Sequence, residues 1–180
     1  MAYSNPTGLP SVTDGIKAYI DAFWISQEYL DRGTAVHDAA HKYLMGKYVV
    51  PLRADWDGYF VSFKRWADEN EPEVELAEER LSDEAIGFCG QPDFIGRIKA
   101  RSGRGLIDWK TSIAASKWHR LQGAGYRHLA KKNGIPTNWG GNLRLKKNGK
   151  APLFDPWPDD YSVDFNRFYC ALSLHRFFNS

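Results

Sequence analysis

Gly90-Gln91-Pro92-Asp93-Phe94-Ile95-Gly96 and Gly105-Leu106-Ile107-Asp108-Trp109-Lys110-Thr111 decide how this chain reads. Both runs are rich in residues that favour strands, and Lys99 to Arg104 between them, with Ser102-Gly103, reads as a hairpin turn. Strands are expected over Gly87 to Ile98 and Gly105 to Thr111, with an earlier one over Val74 to Leu81. Alternation along the last of these puts Asp108 and Lys110 on one face and Trp109 on the other. The apolar lead-in Gly105-Leu106-Ile107 makes it a central strand. Asp93 falls on the neighbouring strand, and Glu78 on the strand before that. Glu75 and Glu79 lie on the opposite face to Glu78, so only one choice of register can aim an acid at Asp93.

Carboxylates on adjacent strands repel unless a cation lies between them. Taken alone, Asp108 and Lys110 read as a structural ion pair. With Asp93 and Glu78 added, the oxygen-rich set suits Mg²⁺ or Mn²⁺, which keep waters and recruit phosphate oxygens. A carboxylate pair beside a lysine fits metal-assisted phosphodiester hydrolysis: metal to polarise the phosphate, lysine to stabilise charge.

Outward from these strands the period becomes helical. Thr13 or Asp14 is expected to cap a helix from about Gly15 to Leu30, and Thr34 to cap the next, which carries Val36, Ala39, Ala40, Tyr43 and Leu44. A third helix spans Asp57 to Glu69 and stops at Pro72. Ala114 to Lys132 is helical and closed by Asn133-Gly134. Asn142 to Lys147 alternates before an Asn148-Gly149 turn, as a single strand or one arm of a hairpin. Asp160 to Phe178 forms a last helix after Asp155-Pro156-Trp157-Pro158. This order predicts an α/β (α+β mixed) domain over residues 1–180, with a small central mixed sheet flanked by helices.

The 180 residues, 43% of them apolar, suffice for one buried core. No run approaches the ~18 apolar residues of a membrane span, and Met1 to Pro10 lacks the pattern of a secretory signal, so a cytoplasmic location without membrane partners is expected. Cys89 and Cys170 are too few for a disulfide framework or a four-thiolate iron–sulfur cluster. The formal charge of +2 conceals a segregation: Asp68 to Asp93 holds ten acidic residues against Arg80, while Arg97 to Lys150 holds fourteen basic residues against Asp108. A lone acid in so basic a stretch suggests a carboxylate kept for a task beside a surface suited to a polyanion.

Four motifs in order carry a resemblance. Arg32-Gly33-Thr34-Ala35-Val36-His37 is similar to a G-x-x-x-H helix. Gly90-x-x-Asp93 with Ile107-Asp108-Trp109-Lys110-Thr111 is similar to a G-x-x-D … (D/E)-x-K-T core, and Gln122-Gly123-Ala124-Gly125-Tyr126 to a Q-x-x-x-Y helix. Together they resemble the PD-(D/E)xK nuclease superfamily, in its RecB-like branch of phage-type exonucleases and the mitochondrial genome maintenance exonuclease. The resemblance runs from about Leu9 to Phe178. It implies a restriction-endonuclease-like core and a Mg²⁺- or Mn²⁺-dependent DNA exonuclease, with DNA ends or single strands as substrate. It also implies recombination or replication proteins as company and the host cytoplasm if phage-encoded. By the same resemblance His37, Asp93 and Asp108 would be metal ligands, with a backbone carbonyl from Trp109 or Ile107. Lys110 would be the catalytic lysine, Gln122 and Tyr126 would contact substrate or catalytic groups, and Glu78 would be the acid of the first strand. The four cysteines of some relatives are missing, so no iron–sulfur cluster is expected. Arg97, Arg101, Lys117, Arg120, Arg127, Lys131 and Lys132 would line the approach of DNA.

Two other readings compete. His37-Asp38-Ala39-Ala40-His41 resembles a metalloprotease H-E-x-x-H helix, but Asp is a short substitute for the glutamate base and no third ligand is evident. A DNA-binding module or endonuclease of the same fold is the alternative within the resemblance. His119 and His128 are expected at the surface or facing phosphate.

Overall fold

This computed structural model describes residues 8–17 and 26–179. Its elements, in chain order, begin with the helices α1 (Val12–Ile16), α2 (Gln27–Leu44) and α3 (Ala54–Asn70). Strands β1 (Glu73–Leu76), β2 (Leu81–Asp83), β3 (Phe88–Gly90), β4 (Phe94–Ile98) and β5 (Arg101–Lys110) follow. The chain closes with α4 (Lys117–Lys132), β6 (Trp139–Arg144), β7 (Leu153–Pro156) and α5 (Ser162–Asn179). Five strands form a mixed sheet in the order β1-β4-β5-β6-β7, and β2 and β3 form a separate antiparallel pair. The longest strand, β5, is central as its apolar run demands. It pairs antiparallel with β4 and parallel with β6, from which α4 separates it in sequence. The fold is thus an α/β core with a small mixed sheet flanked by helices.

Side-chain alternation splits the interior in two. Phe94, Ile107, Trp109 and Leu143 face a cluster built on Val36, Phe63 and Trp66 from α2 and α3. Ile95 and Leu106, one position away, face the other cluster, with Val12, Leu129, Phe168 and Leu172 from α1, α4 and α5. Trp109 lies within 5.1 Å of the Phe63 and Trp66 ring centroids, so the residue between Asp108 and Lys110 anchors the sheet to α3.

The expected elements differ in several places: the strand expected over Val74 to Leu81 stops at Leu76, and β5 already begins at Arg101, inside the expected Lys99 to Arg104 turn. Thr34 caps nothing: α2 begins at Ser26, whose side chain accepts from the Tyr29 amide, and runs through Thr34. In the helix expected from Gly15 to Leu30, residues 18–25 lie outside the described residues; Gly15 belongs to α1, which Ser11 and Asp14 close with a capping box. The strand expected over Gly87 to Ile98 is two strands, because Pro92 has no amide hydrogen for a ladder and Gln91-Pro92-Asp93 breaks it. The first half pairs with Leu81–Asp83 rather than joining the main sheet. Finally, of the strand or hairpin expected around the Asn148-Gly149 turn, the structure has the hairpin: Leu153–Pro156 pairs antiparallel with β6 as an edge strand, and Pro156 is tolerated because it ends an edge.

Candidate metal centre

The break at Pro92 has a consequence for Asp93. It ends up at the head of β4 rather than within a ladder, its carboxylate directed between β5 and α2. One oxygen, Oδ2, accepts from the Trp109 amide at 2.6 Å; the other, Oδ1, lies 3.0 Å from His37 Nδ1. His37 is on α2, and Val36 beside it in sequence is buried in the core that fixes that helix against the sheet. Glu78 completes the group. It lies past the end of β1, in a left-handed backbone conformation with φ of 54°, and its amide donates to the Pro92 carbonyl at 3.0 Å. Gln91 Nε2 holds it from the other side, donating to the Glu78 carbonyl (2.8 Å) and to Oε2 (3.0 Å). One ligand atom from each of His37, Glu78 and Asp93 lies within 4.8 Å of the others.

The electrostatics follow from packing carboxyls together out of water. Burial and the Asp93 charge push Glu78 up to about 8. Burial also raises Asp93, but His37, Lys110 and the Trp109 amide outweigh it and hold that carboxyl low. For His37 burial opposes the charged form, yet Asp93 raises it to about 9. One imidazole nitrogen and two carboxyl groups converging here are a donor set that fits a divalent metal ion.

Asp108 stands beside this group rather than in it. Its Oδ2 is 2.5 Å from Lys110 Nζ. The amide of Asn142, oriented to satisfy its neighbours, donates to the same oxygen at 3.1 Å and accepts from Trp157 Nε1 at 3.1 Å. Burial, only partly offset by Lys110, raises Asp108 to about 6. Lys110 Nζ also donates to Gln122 Oε1 (2.9 Å), and Gln122 Nε2 donates to the Tyr126 hydroxyl (3.3 Å). Gln122 and Tyr126, one helical turn apart on α4, thus reach the lysine through one chain of hydrogen bonds. Burial, with the charges of Asp108 and Asp93, pushes the Tyr126 hydroxyl up, so it stays a donor.

The expectations for single residues fare unevenly. Of the three acids near Val74 to Leu81, Glu78 faces the group. Glu79 is exposed and Glu75 pairs with Arg104 (2.6 Å), but Glu78 is not on a strand, so alternation was the wrong reason. Trp109 meets Asp93 through its amide. Asn142 and Gln91 were missed. Nothing in sequence marks Asn142, since only the parallel register sets it opposite Asp108; Gln91 could have been noticed inside Gly90-x-x-Asp93.

The basic residues scatter. Lys117 and Arg120 lie at the start of α4, on the Lys110 side, with Arg120 bound to Asp164 at 2.8 Å. Arg97 and Arg101 sit at the β4–β5 turn; Arg101 is about 20 Å along the strand from Asp108 and lies over the Trp139 and Phe154 rings. Neither borders the site as expected. Arg127 is 2% exposed and donates to Thr137 and to the Pro158 carbonyl, so it braces the fold. Lys131 and Lys132 border a separate cavity of 520 Å³ with Asp160 and Tyr161. His119 is buried rather than exposed, and His128 binds Asp83 (2.9 Å) while stacking on Phe165. His41 joins no group of three ligands among the described residues, so the metalloprotease reading lacks its site. No helix among the described residues is long and apolar enough to cross a membrane.

No protein-family model matches the chain, and no curated protein does. Solved structures do. A candidate exonuclease from Eubacterium rectale matches 94% of this chain and 80% of its own, with 12% identity and a TM-score of 0.59. LHK-Exo, an alkaline exonuclease of Laribacter hongkongensis solved with dAMP, matches 96% of this chain and 90% of its own at 14% identity, with a TM-score of 0.39. At such identities the likeness is one of fold. That fold is a restriction-endonuclease-like core, with a His, Glu and Asp group gathered where the central strands meet α2.

Proposed function

We propose that the chain is a Mg²⁺- or Mn²⁺-dependent deoxyribonuclease, acting as an exonuclease on DNA ends or single strands. The observation that carries this reading is the juxtaposition of the His37, Glu78 and Asp93 group with the Asp108–Lys110–Gln122 chain across one end of β5. When bound, a divalent ion would polarise the phosphate and acidify a water. His37, Asp93 and Glu78 would hold it, with Asp108 at its margin. Asp108 and Gln122 fix the position of the Lys110 ammonium. It would stabilise the charge that grows on the phosphate oxygens. The ammonium also lies over the Trp118 ring, 5.3 Å from its centroid. The sequence carries no signal for reading base edges, which favours recognition of the backbone with little sequence specificity.

Digestion of end-labelled single-stranded, duplex and circular DNA tests the proposal. Mononucleotides should be released from ends while circles survive, EDTA should stop the reaction, and Mg²⁺ or Mn²⁺ should restore it. Lys110→Ala should cut the rate by roughly 10² to 10⁴ and leave DNA binding intact. Cutting of circles would make the chain an endonuclease, and binding without cleavage would make it a binding module.

A further inference from the structure

A glycine inside a helix is costly, and it is tolerated where a side chain would collide. The described helices hold five glycines. A methyl group at Gly15, Gly58, Gly123 or Gly125 would meet Leu172, the Lys147 carbonyl, Trp157 or Val12, each at 3.1 Å or closer. Gly33 is the exception: nothing among the described residues lies within 4 Å of the place its methyl would occupy. Packing among the described residues therefore gives no reason for a glycine in mid-α2.

Its position supplies one. Gly33 lines a cavity of 390 Å³ together with His37, Glu78 and Asp93. His37 follows it by one turn, about 6 Å along the same helix face, and Tyr29 precedes it by one turn on that face. Tyr29 also lines the cavity and is 40% exposed. Its ring is held by the Arg32 guanidinium, 3.9 Å from the centroid, and Arg32 in turn donates to the Thr111 carbonyl at 3.3 Å, just past Lys110. One face of α2 thus presents a fixed aromatic ring, a notch without a side chain and then the metal-ligand group.

We propose that the polynucleotide strand crosses α2 at Gly33, its sugar–phosphate backbone lying in the notch against the helix and a base stacked on Tyr29. The inference rests on the nuclease reading and adds the path of the substrate. Close approach of a backbone is what glycine permits, and stacking on a held aromatic ring is sequence-tolerant. The notch keeps the strand low enough for its next phosphate to reach the His37, Glu78 and Asp93 group.

The test uses Gly33→Ala and Tyr29→Ala in the full chain. Melting temperature is read first, then binding of a fluorescein-labelled single-stranded oligonucleotide by anisotropy in EDTA, then KM and kcat with Mg²⁺. Gly33→Ala should raise the melting temperature by about 2–4 °C, weaken oligonucleotide binding roughly tenfold and raise KM more than it lowers kcat. Tyr29→Ala should weaken binding by a similar factor. A Gly33→Ala protein that is stabilised but binds and cleaves like the parent overturns the proposal, because the notch then faces only solvent. A destabilised Gly33→Ala overturns it as well, because the chain itself then fills the space. A parent that binds and cleaves while both variants match it leaves the nuclease reading standing. A parent that neither binds nor cleaves DNA removes both.

Discussion

Glu78 shows what a single residue adds here. Its left-handed backbone costs on the order of 1 kcal/mol for a side chain with a Cβ, and Gln91 and the Pro92 carbonyl hold it there. At neutral pH without metal its carboxyl is mostly protonated, since burial and Asp93 push it up to about 8. Glu78→Gln should therefore leave the melting temperature near that of the parent. Added Mn²⁺ should stabilise the parent by a concentration-dependent shift, and that shift should shrink in the variant, as read by thermal denaturation with and without metal. His119 carries a second prediction. Burial, with the charge of Lys110 close by, lowers it to about 3, and it sits in the first turn of α4, where a cation is disfavoured. Its unfolded-state value is the ordinary 6.5, so between pH 6.5 and about 3 the unfolded chain binds the extra proton. Stability is then lost as pH falls through that window, by up to about 1.4 kcal/mol per pH unit for this one group. His119→Gln keeps an acceptor for the Ser116 amide and should flatten the decline of melting temperature between pH 6.5 and 4.

At the scale of elements, α3 and the turn after β6 are locked together by contact that only a glycine allows. A methyl on Gly58 would overlap the Lys147 carbonyl, and the Lys146 amide donates to Ser62 Oγ at 3.0 Å. Gly58→Ala should destabilise the protein by about 1–3 kcal/mol despite the better helix propensity of alanine, measured by urea denaturation; Gly33→Ala in α2 has the opposite sign, and the pair forms an internal control. The helices and β5 were legible because long periodic segments and an uninterrupted apolar run leave little choice. The β2–β3 pair was not, because two three-residue strands carry too few residues to show a period. Thr34 misled for a related reason: a residue able to cap is indistinguishable locally from one within a helix that has begun seven residues earlier.

At the scale of the whole molecule, part of the segregated charge is paired within the sheet. Glu75 lies against Arg97 and Arg104, Glu71 against Lys99, and Asp155 against Arg144. The basic stretch is therefore less of a polyanion-binding face than its composition suggests. Of the residues expected to meet DNA, Lys117 is exposed near Lys110, whereas Arg101 is remote. Lys117→Ala should reduce the slope of log K against log salt for single-stranded DNA by about 0.7, and Arg101→Ala should leave it unchanged, in anisotropy titrations at several salt concentrations. The sheet's two faces also predict separable stability effects: Phe63→Ala and Leu172→Ala each remove a fully buried side chain from a different cluster. Each should cost about 2–5 kcal/mol, and their sum should be nearly additive because they share no partner.

The sequence by itself determined the layer architecture, the central place of β5, the shared face of Asp108 and Lys110, and the helical pairing of Gln122 with Tyr126. Periodicity and spacing are local properties, and each of these depends on residues within a turn or a strand of one another. Only the tertiary structure decided that Glu78 leaves its strand to join His37 and Asp93, that Asp108 is engaged by Lys110 and Asn142 instead, and that Arg127 is buried. Those outcomes depend on the break at Pro92, on the register of β5 with β6 and on which ion pairs close across the sheet. They are set by groups far apart in the chain, competing for the same few ångströms of low-dielectric space.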